Sequence, residues 1–319
     1  MEANEINAII DNSEYALVTE NITKTYGFHK VLDGVSMSVK KGDIYGFVGE
    51  NGAGKTTIIR VVTGLIFANS GSYKLFGVSE KDEKIYEIRK KMNAIVEAPS
   101  IYLNMTAVDN LKMQQRMLGL TIDENKIFEI LKYVGLEDVD VKKKSVNFSL
   151  GMRQRLGIAM CLINEPKFLI LDEPLNGLDP EGIVNMRNLI LKLNEEKGIT
   201  FLISSHILTE LSLVATRYGI ISKGKLVKEI TKEELDVVEK KETLIKTTDN
   251  EKAYELLKED ISPELLDYKD DTIIISGEID INELVKKFLE VKVAILDIKT
   301  KQASIEDFYL SVIGGKNND

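Results

Sequence analysis

Cysteine is nearly absent from this 319-residue chain, and the lone Cys161 excludes an internal disulfide. Its setting, Leu156-Gly157-Ile158-Ala159-Met160-Cys161-Leu162-Ile163, predicts a small buried hydrophobe. No apolar run approaches the ~18 residues of a membrane span, and the acidic start Met1-Glu2-Ala3-Asn4-Glu5 lacks the basic character of a secretory signal, so a cytosolic protein is expected. A basic surplus is missing too. The formal net charge is −9, and residues 231–319 account for all of it with 13 Lys against 22 Asp and Glu, leaving 29 of each sign in residues 1–230. Such a distribution gives no electrostatic footprint for nucleic acid.

What is present is a globular composition, 44% hydrophobic, with room for roughly two domains and a sizeable core. It is organised around Gly49-Glu50-Asn51-Gly52-Ala53-Gly54-Lys55-Thr56-Thr57, which fits the phosphate-binding pattern G-x-x-x-x-G-K-[ST]. The apolar run Ile44 to Val48 reads as a strand entering it, and Thr56 to Val62 as a helix leaving it. A triphosphate needs several donors close together. Glycines 49, 52 and 54 let the backbone N–H groups around Asn51 and Ala53 curl inward without Cβ clashes, which makes the loop an anion nest. The helix start adds unpaired N–H groups and the positive end of its dipole. Lys55 reaches the β- and γ-phosphates, the Thr56 hydroxyl suits Mg²⁺, and Thr57 is expected on the α-phosphate side.

Upstream, Ala16 to Ile22 and Val35 to Val39 alternate as antiparallel strands. Between them Lys24-Thr25-Tyr26-Gly27 places an aromatic ring in a loop, and Tyr26 is the candidate for stacking on adenine, a contribution of about 1–3 kcal/mol. Residues 1–14 read as a polar extension. Downstream, strands are predicted at Ser72 to Gly77 and Met92 to Val96, with a helix near 81–92 between them. From about 98 to 165 the period is helical: Thr106-Ala107-Val108-Asp109 starts one helix, and Ile127, Ile130, Leu131 and Val134 mark a second.

Two stretches bring further chemistry. Phe168-Leu169-Ile170-Leu171-Asp172-Glu173-Pro174 is a buried parallel strand ending in two acids, at the edge where open α/β sheets bind ligands. Asp172 can hold Mg²⁺ directly or through water, and Glu173 is placed to orient or deprotonate a water for in-line attack. Ile199-Thr200-Phe201-Leu202-Ile203-Ser204-Ser205-His206 is a second such strand, and its terminal His206 can reach a γ-phosphate. His29 has no comparable setting. Phe148-Ser149-Leu150-Gly151-Met152-Arg153-Gln154-Arg155 opens a helix, and Leu178-Asp179-Pro180 precedes another.

Assembled in order, Tyr26, the phosphate loop, Glu97 at a strand end, Phe148 to Met152, Asp172-Glu173, Leu178-Asp179 and His206 resemble the ATP-binding subunit of ABC transporters over residues of about 15 to 225. That resemblance implies two subunits facing head to tail around two Mg·ATP. Ser149 and Gly151 of one would contact the γ-phosphate held by the other, with Asp179 also at the nucleotide, and Glu97 would join Thr56 and Asp172 around the metal. It implies a membrane-spanning permease subunit as partner, a second nucleotide-binding subunit, alike or different, and a place on the inner face of the cell membrane. Glu97 stands where a glutamine is usual, and Leu150 and Met152 depart from the usual L-S-G-G-Q. Both departures resemble the branch that exports peptide antibiotics such as bacitracin and lantibiotics. The competing expectation is a soluble ATPase of the same superfamily in translation or chromosome maintenance. The chain has one nucleotide domain, no long coiled-coil insertion and no basic surface.

The expected fold class is α/β: a P-loop NTPase core of ABC type over residues 15–230, with an antiparallel β subdomain and a helical subdomain. Residues 231–319 read as a small α+β accessory or regulatory domain of ferredoxin-like kind. Within them, Gln302 to Leu310 resembles the tail of drug and peptide exporter subunits.

Overall fold

A computed structural model describes residues 3–238, 241–258, 260–262, 265–269, 271–277, 279–302 and 305–314. The chain divides into two compact units, Met1–Lys232 and Glu233–Asp319. In the first, α1 (Ala3–Asn12) precedes the long strands β1 (Tyr15–Tyr26) and β2 (His29–Lys40). The segment read as a polar extension is thus helical from Ala3. Ile6 and Ile10, one turn apart, are buried in the core beside Leu17 and Val39, and two apolar residues at helical spacing suffice to dock an otherwise polar segment. Tyr26 ends β1 and pairs with His29 across the hairpin, so it belongs to a strand end rather than a loop.

Next come β3 (Ile44–Val48), α2 (Lys55–Val62), β4 (Ser70–Leu75), β5 (Val78–Ser79), α3 (Ile85–Arg89) and β6 (Met92–Ile95). The helix expected near 81–92 is one turn of five residues. Four strands form an antiparallel sheet in the order β2-β1-β4-β5. Helix α2 lies between this sheet and a larger one: Ile58, Ile59 and Val62 share a buried cluster with Leu32 and Val35 of β2 and with Phe168 and Ile170 farther along the chain.

The helical region holds α4 (Ala107–Met117), α5 (Glu124–Tyr133) and α6 (Leu150–Leu162). Thr106 and Asp109 make a capping box at the start of α4, as the sequence predicts. Buried Asn110 ties the region together, bonding Tyr102, Thr106 and Ser145. Helix α6 packs so tightly at Gly157 that a Cβ there would lie 2.4 Å from the Pro99 side chain.

Then follow β7 (Phe168–Asp172), α7 (Pro180–Lys197), β8 (Thr200–Ser205), α8 (Leu208–Ser212), β9 (Arg217–Ser222) and β10 (Lys225–Thr231), with α9 (Lys232–Val238) at the unit boundary. The second sheet runs β10-β9-β3-β8-β7-β6, parallel except for its β10 edge. Every residue of β3, β7 and β8 is buried, which is what continuous apolar runs covered on both faces predict.

The second unit contains β11 (Lys241–Thr247), α10 (Asn250–Leu257), β12 (Leu266–Lys269), β13 (Thr272–Ser276), α11 (Ile281–Glu290), β14 (Ile295–Gln302) and α12 (Ile305–Gly314). Its antiparallel sheet, ordered β12-β13-β11-β14, and its β-α-β-β-α-β sequence are the split βαβ arrangement. Ile245, Ile273, Leu284 and Phe288 form its core. Of the predicted segments, Met1, Glu2, Glu259, Ala303 and Ser304 lie outside the described residues.

Candidate nucleotide site

Register places the site. Val48 of β3 pairs with Ser205 of β8, and Ser204 of β8 pairs with Asp172 of β7. Three chain exits therefore lie side by side at the carboxyl edge of the sheet: Gly49, Glu173 and His206. Cross-links hold them, since Gly49 N–H donates to Ser205 O at 3.2 Å and Glu173 N–H to Ser204 O at 3.2 Å and to its hydroxyl at 2.9 Å.

Two glycines of the loop are required by geometry. A Cβ on Gly49 would sit 2.4 Å from the Ile221 carbonyl of β9, and Gly54, at φ 111°, caps α2 with a Cβ position 2.7 Å from Leu32. Behind them the Lys55 side chain is buried, and its ammonium donates to Gly49 O at 2.6 Å and Glu50 O at 3.3 Å. The same Nζ pairs with Glu173 Oε1 at 3.1 Å. Glu173 Oε2 lies 2.8 Å from His206 Nδ1, so one carboxylate bridges the lysine and the histidine. Glu173 itself adopts φ 49°, a left-handed backbone uncommon for a residue with a side chain and worth about 1–2 kcal/mol.

Beside this trio, Thr56 Oγ1 donates to Asp172 Oδ2 at 2.8 Å, and Ser204 Oγ donates to Asp172 Oδ1 at 2.5 Å. A threonine hydroxyl and a buried carboxylate, both hard oxygen donors, fit Mg²⁺, which takes one or two protein ligands and completes its shell with phosphate oxygens and water. Among the described residues no group of three or more His, Cys, Asp or Glu side chains could hold a metal by itself.

Lys55, Thr56, Asp172, Glu173 and His206 thus form one cluster, with Gly49 to Thr57 wrapped around its α2 end. Tyr26 is close to half exposed, with the Lys24 ammonium 5.2 Å from its ring centre. Ser149 caps α6, its hydroxyl accepting from Met152 N–H at 3.2 Å, and Asp179 caps α7, accepting from Gly182 N–H at 3.0 Å. With Gly151, Met152 and Arg155 they line a separate open cavity of about 230 Å³. Neither side chain bonds to the phosphate-loop cluster.

Glu97 departs from expectation. Its carboxylate pairs with Arg60 Nη2 at 2.6 Å instead of joining Thr56 and Asp172. The physical reason is local: Glu97 turns out of β6 at φ 63°, and the guanidinium on α2 is the cation it meets. The sequence reading passed over Arg60 and Ser204. The signal for Ser204 is the polar pair Ser204-Ser205 that follows the apolar run Phe201 to Ile203 in one strand, whereas Arg60 has none apart from its spacing four residues beyond Thr56.

Residues 32–176 match the family model described as ABC transporter. The bacitracin transport ATP-binding protein BcrA of Bacillus licheniformis is 42% identical over 93% of this chain and 97% of its own length. The chain belongs to the ATP-binding subunits of ABC transporters. The lantibiotic transport ATP-binding protein SrtF of Streptococcus pyogenes is 45% identical over 67% of the chain and 90% of its own. Among solved structures, the ATP-binding cassette MJ1267 in its ADP conformation superimposes with a TM-score of 0.63 at 29% identity, covering 70% of this chain and 94% of that one. The dimeric cassette MJ0796 bound to ADP and Pi shares the fold at a TM-score of 0.61 and 24% identity, covering 67% and 98%. This ABC cassette is therefore an ATPase subunit of α/β P-loop fold. No helix among the described residues is long and apolar enough to cross a membrane.

Proposed function

We propose that two copies of this cassette close on two Mg·ATP and drive export of a peptide antibiotic or similar amphiphile through a separate membrane subunit. One observation carries the dimer: Ser149, Gly151 and Asp179 sit at two helix N-termini on a cavity apart from the Lys55 cluster. Helix N-termini attract anions, and a second copy facing the first would bring that surface onto the bound γ-phosphate. The export substrate rests on likeness to the bacitracin transport protein along nearly its whole length. The cassette would sit at the inner face of the cell membrane, held there by its permease.

In this reading Tyr26 stacks on adenine, and the loop amides of Gly49 to Thr57 cradle the phosphates. Thr56 and Asp172 hold the Mg²⁺, which offsets the phosphate charge. Lys55 leaves Glu173 for the γ-phosphate, which frees Glu173 as general base, and His206 orients that carboxylate and senses the phosphate. The test is Glu173→Gln. Hydrolysis should fall by roughly 10²- to 10⁴-fold, while ATP still binds and a stable ATP-dependent dimer elutes on size exclusion. Turnover near the wild-type rate would remove Glu173 from its role.

A further inference from the structure

We propose that Lys24 is a positioning residue for the nucleotide base, holding the Tyr26 ring ready for stacking. The inference rests on the reading that Tyr26 is the adenine platform. Tyr26 stands at the end of a strand that its sheet neighbours secure poorly. Pairing of β1 with β4 stops at Thr23, and pairing with β2 is irregular on both sides of Lys24. The loop at 63–69, which leaves α2, supplies the missing anchor. Lys24 Nζ donates to Phe67 O at 2.6 Å, Thr25 N–H to Asn69 Oδ1 at 2.9 Å, and Asn69 N–H to Thr23 O at 2.8 Å. The first turn of that same helix carries Lys55 and Thr56, so one element ties the strand end with the ring to the phosphate loop.

Lys24 also touches the ring itself. With its ammonium fixed on the Phe67 carbonyl, it lies 5.2 Å from the centre of the Tyr26 ring, within the range of a cation–π contact. A cation on one face leaves the opposite face for a base. The ring is close to half exposed, and an exposed tyrosine free to turn would lose that freedom when a ligand stacks on it, which weakens binding. A ring already held by Lys24 avoids most of that loss. Lys24 should therefore act on ligands that carry a base and leave the binding of bare phosphates alone. Its effect on affinity is expected at roughly 2- to 5-fold, the size of an exposed cation–π contact.

The experiment is a calorimetric titration of full-length protein with ADP, which carries the base, and with inorganic pyrophosphate, which does not, each in the presence of Mg²⁺. Lys24→Met should weaken ADP binding roughly 2- to 5-fold and leave pyrophosphate unchanged. Lys24→Arg should restore ADP binding, since a guanidinium can both donate to the carbonyl and stack on the ring. In a Tyr26→Ala background, Lys24→Met should cost nothing further. An equal loss toward both ligands would mean that Lys24 acts on phosphate or on the fold at large, and a loss that persists without the Tyr26 ring would mean that it acts elsewhere. Either result overturns the inference, as does an unchanged ADP affinity. Tyr26→Ala by itself should weaken ADP binding by about 5- to 150-fold. If that variant binds ADP as the wild type does, the stacking reading fails, and the role of Lys24 with it.

Discussion

Glu173 shows how much a single residue carries here. Its carboxylate is shared between Lys55 and His206, its amide is held twice by Ser204, and its backbone is left-handed. Two acids after a buried strand and a histidine after another were legible in the sequence. That one carboxylate bridges lysine and histidine was not, because it depends on the parallel register of β3, β8 and β7. Cys161 makes a simpler case. It is partly buried, and desolvation of the sulfur pushes the thiol up to about 12 from an ordinary 9.0. The unfolded chain therefore ionises this group first, and folding stability should decline with pH between about 9 and about 12. Cys161→Ala should flatten that part of the curve of denaturation free energy against pH, and an unchanged slope would show the thiol uninvolved. Alkylation of native protein at pH 8 should likewise be slow.

At the scale of elements, Ser149 has two duties that can be separated. As the cap of α6 it satisfies an orphan N–H, so Ser149→Ala should cost about 1 kcal/mol of stability by urea denaturation. Ser149→Asp keeps a good cap and should leave stability near wild type, yet places a negative charge where a partner's γ-phosphate is proposed to sit. ATP-dependent dimerisation should then be lost. If the aspartate variant dimerises normally, α6 is only a scaffold helix. Cap and helix could be anticipated from Phe148-Ser149 before a helical period. The helix α1 could not, since Ile6 and Ile10 count for little until β1 and β2 offer them a core.

For the whole molecule, the proposed division of the site between two chains makes a stoichiometric prediction. Lys55→Ala and Ser149→Asp should each be inactive alone, whereas a 1:1 mixture should recover up to about a quarter of wild-type activity, because half of the dimers are mixed and each rebuilds one of two sites across the two-fold axis. No recovery would mean that the cassette does not pair with itself. The surplus acidity belongs to residues 231–319, and the catalytic unit is electrically balanced, consistent with work on a small anion rather than a polyanion. The sequence by itself determined the phosphate loop and the two acid- and histidine-tipped strands, since each depends on local spacing and hydrophobic period, whereas the short strand Leu266–Lys269 of the second unit shows only in the fold. Tertiary structure alone decided that Glu97 meets Arg60, that Lys55 is held by Glu173, and that Ser149 and Asp179 share a cavity apart from them. Those pairings join residues 30 to 118 positions apart, and only strand register and helix packing set such distances.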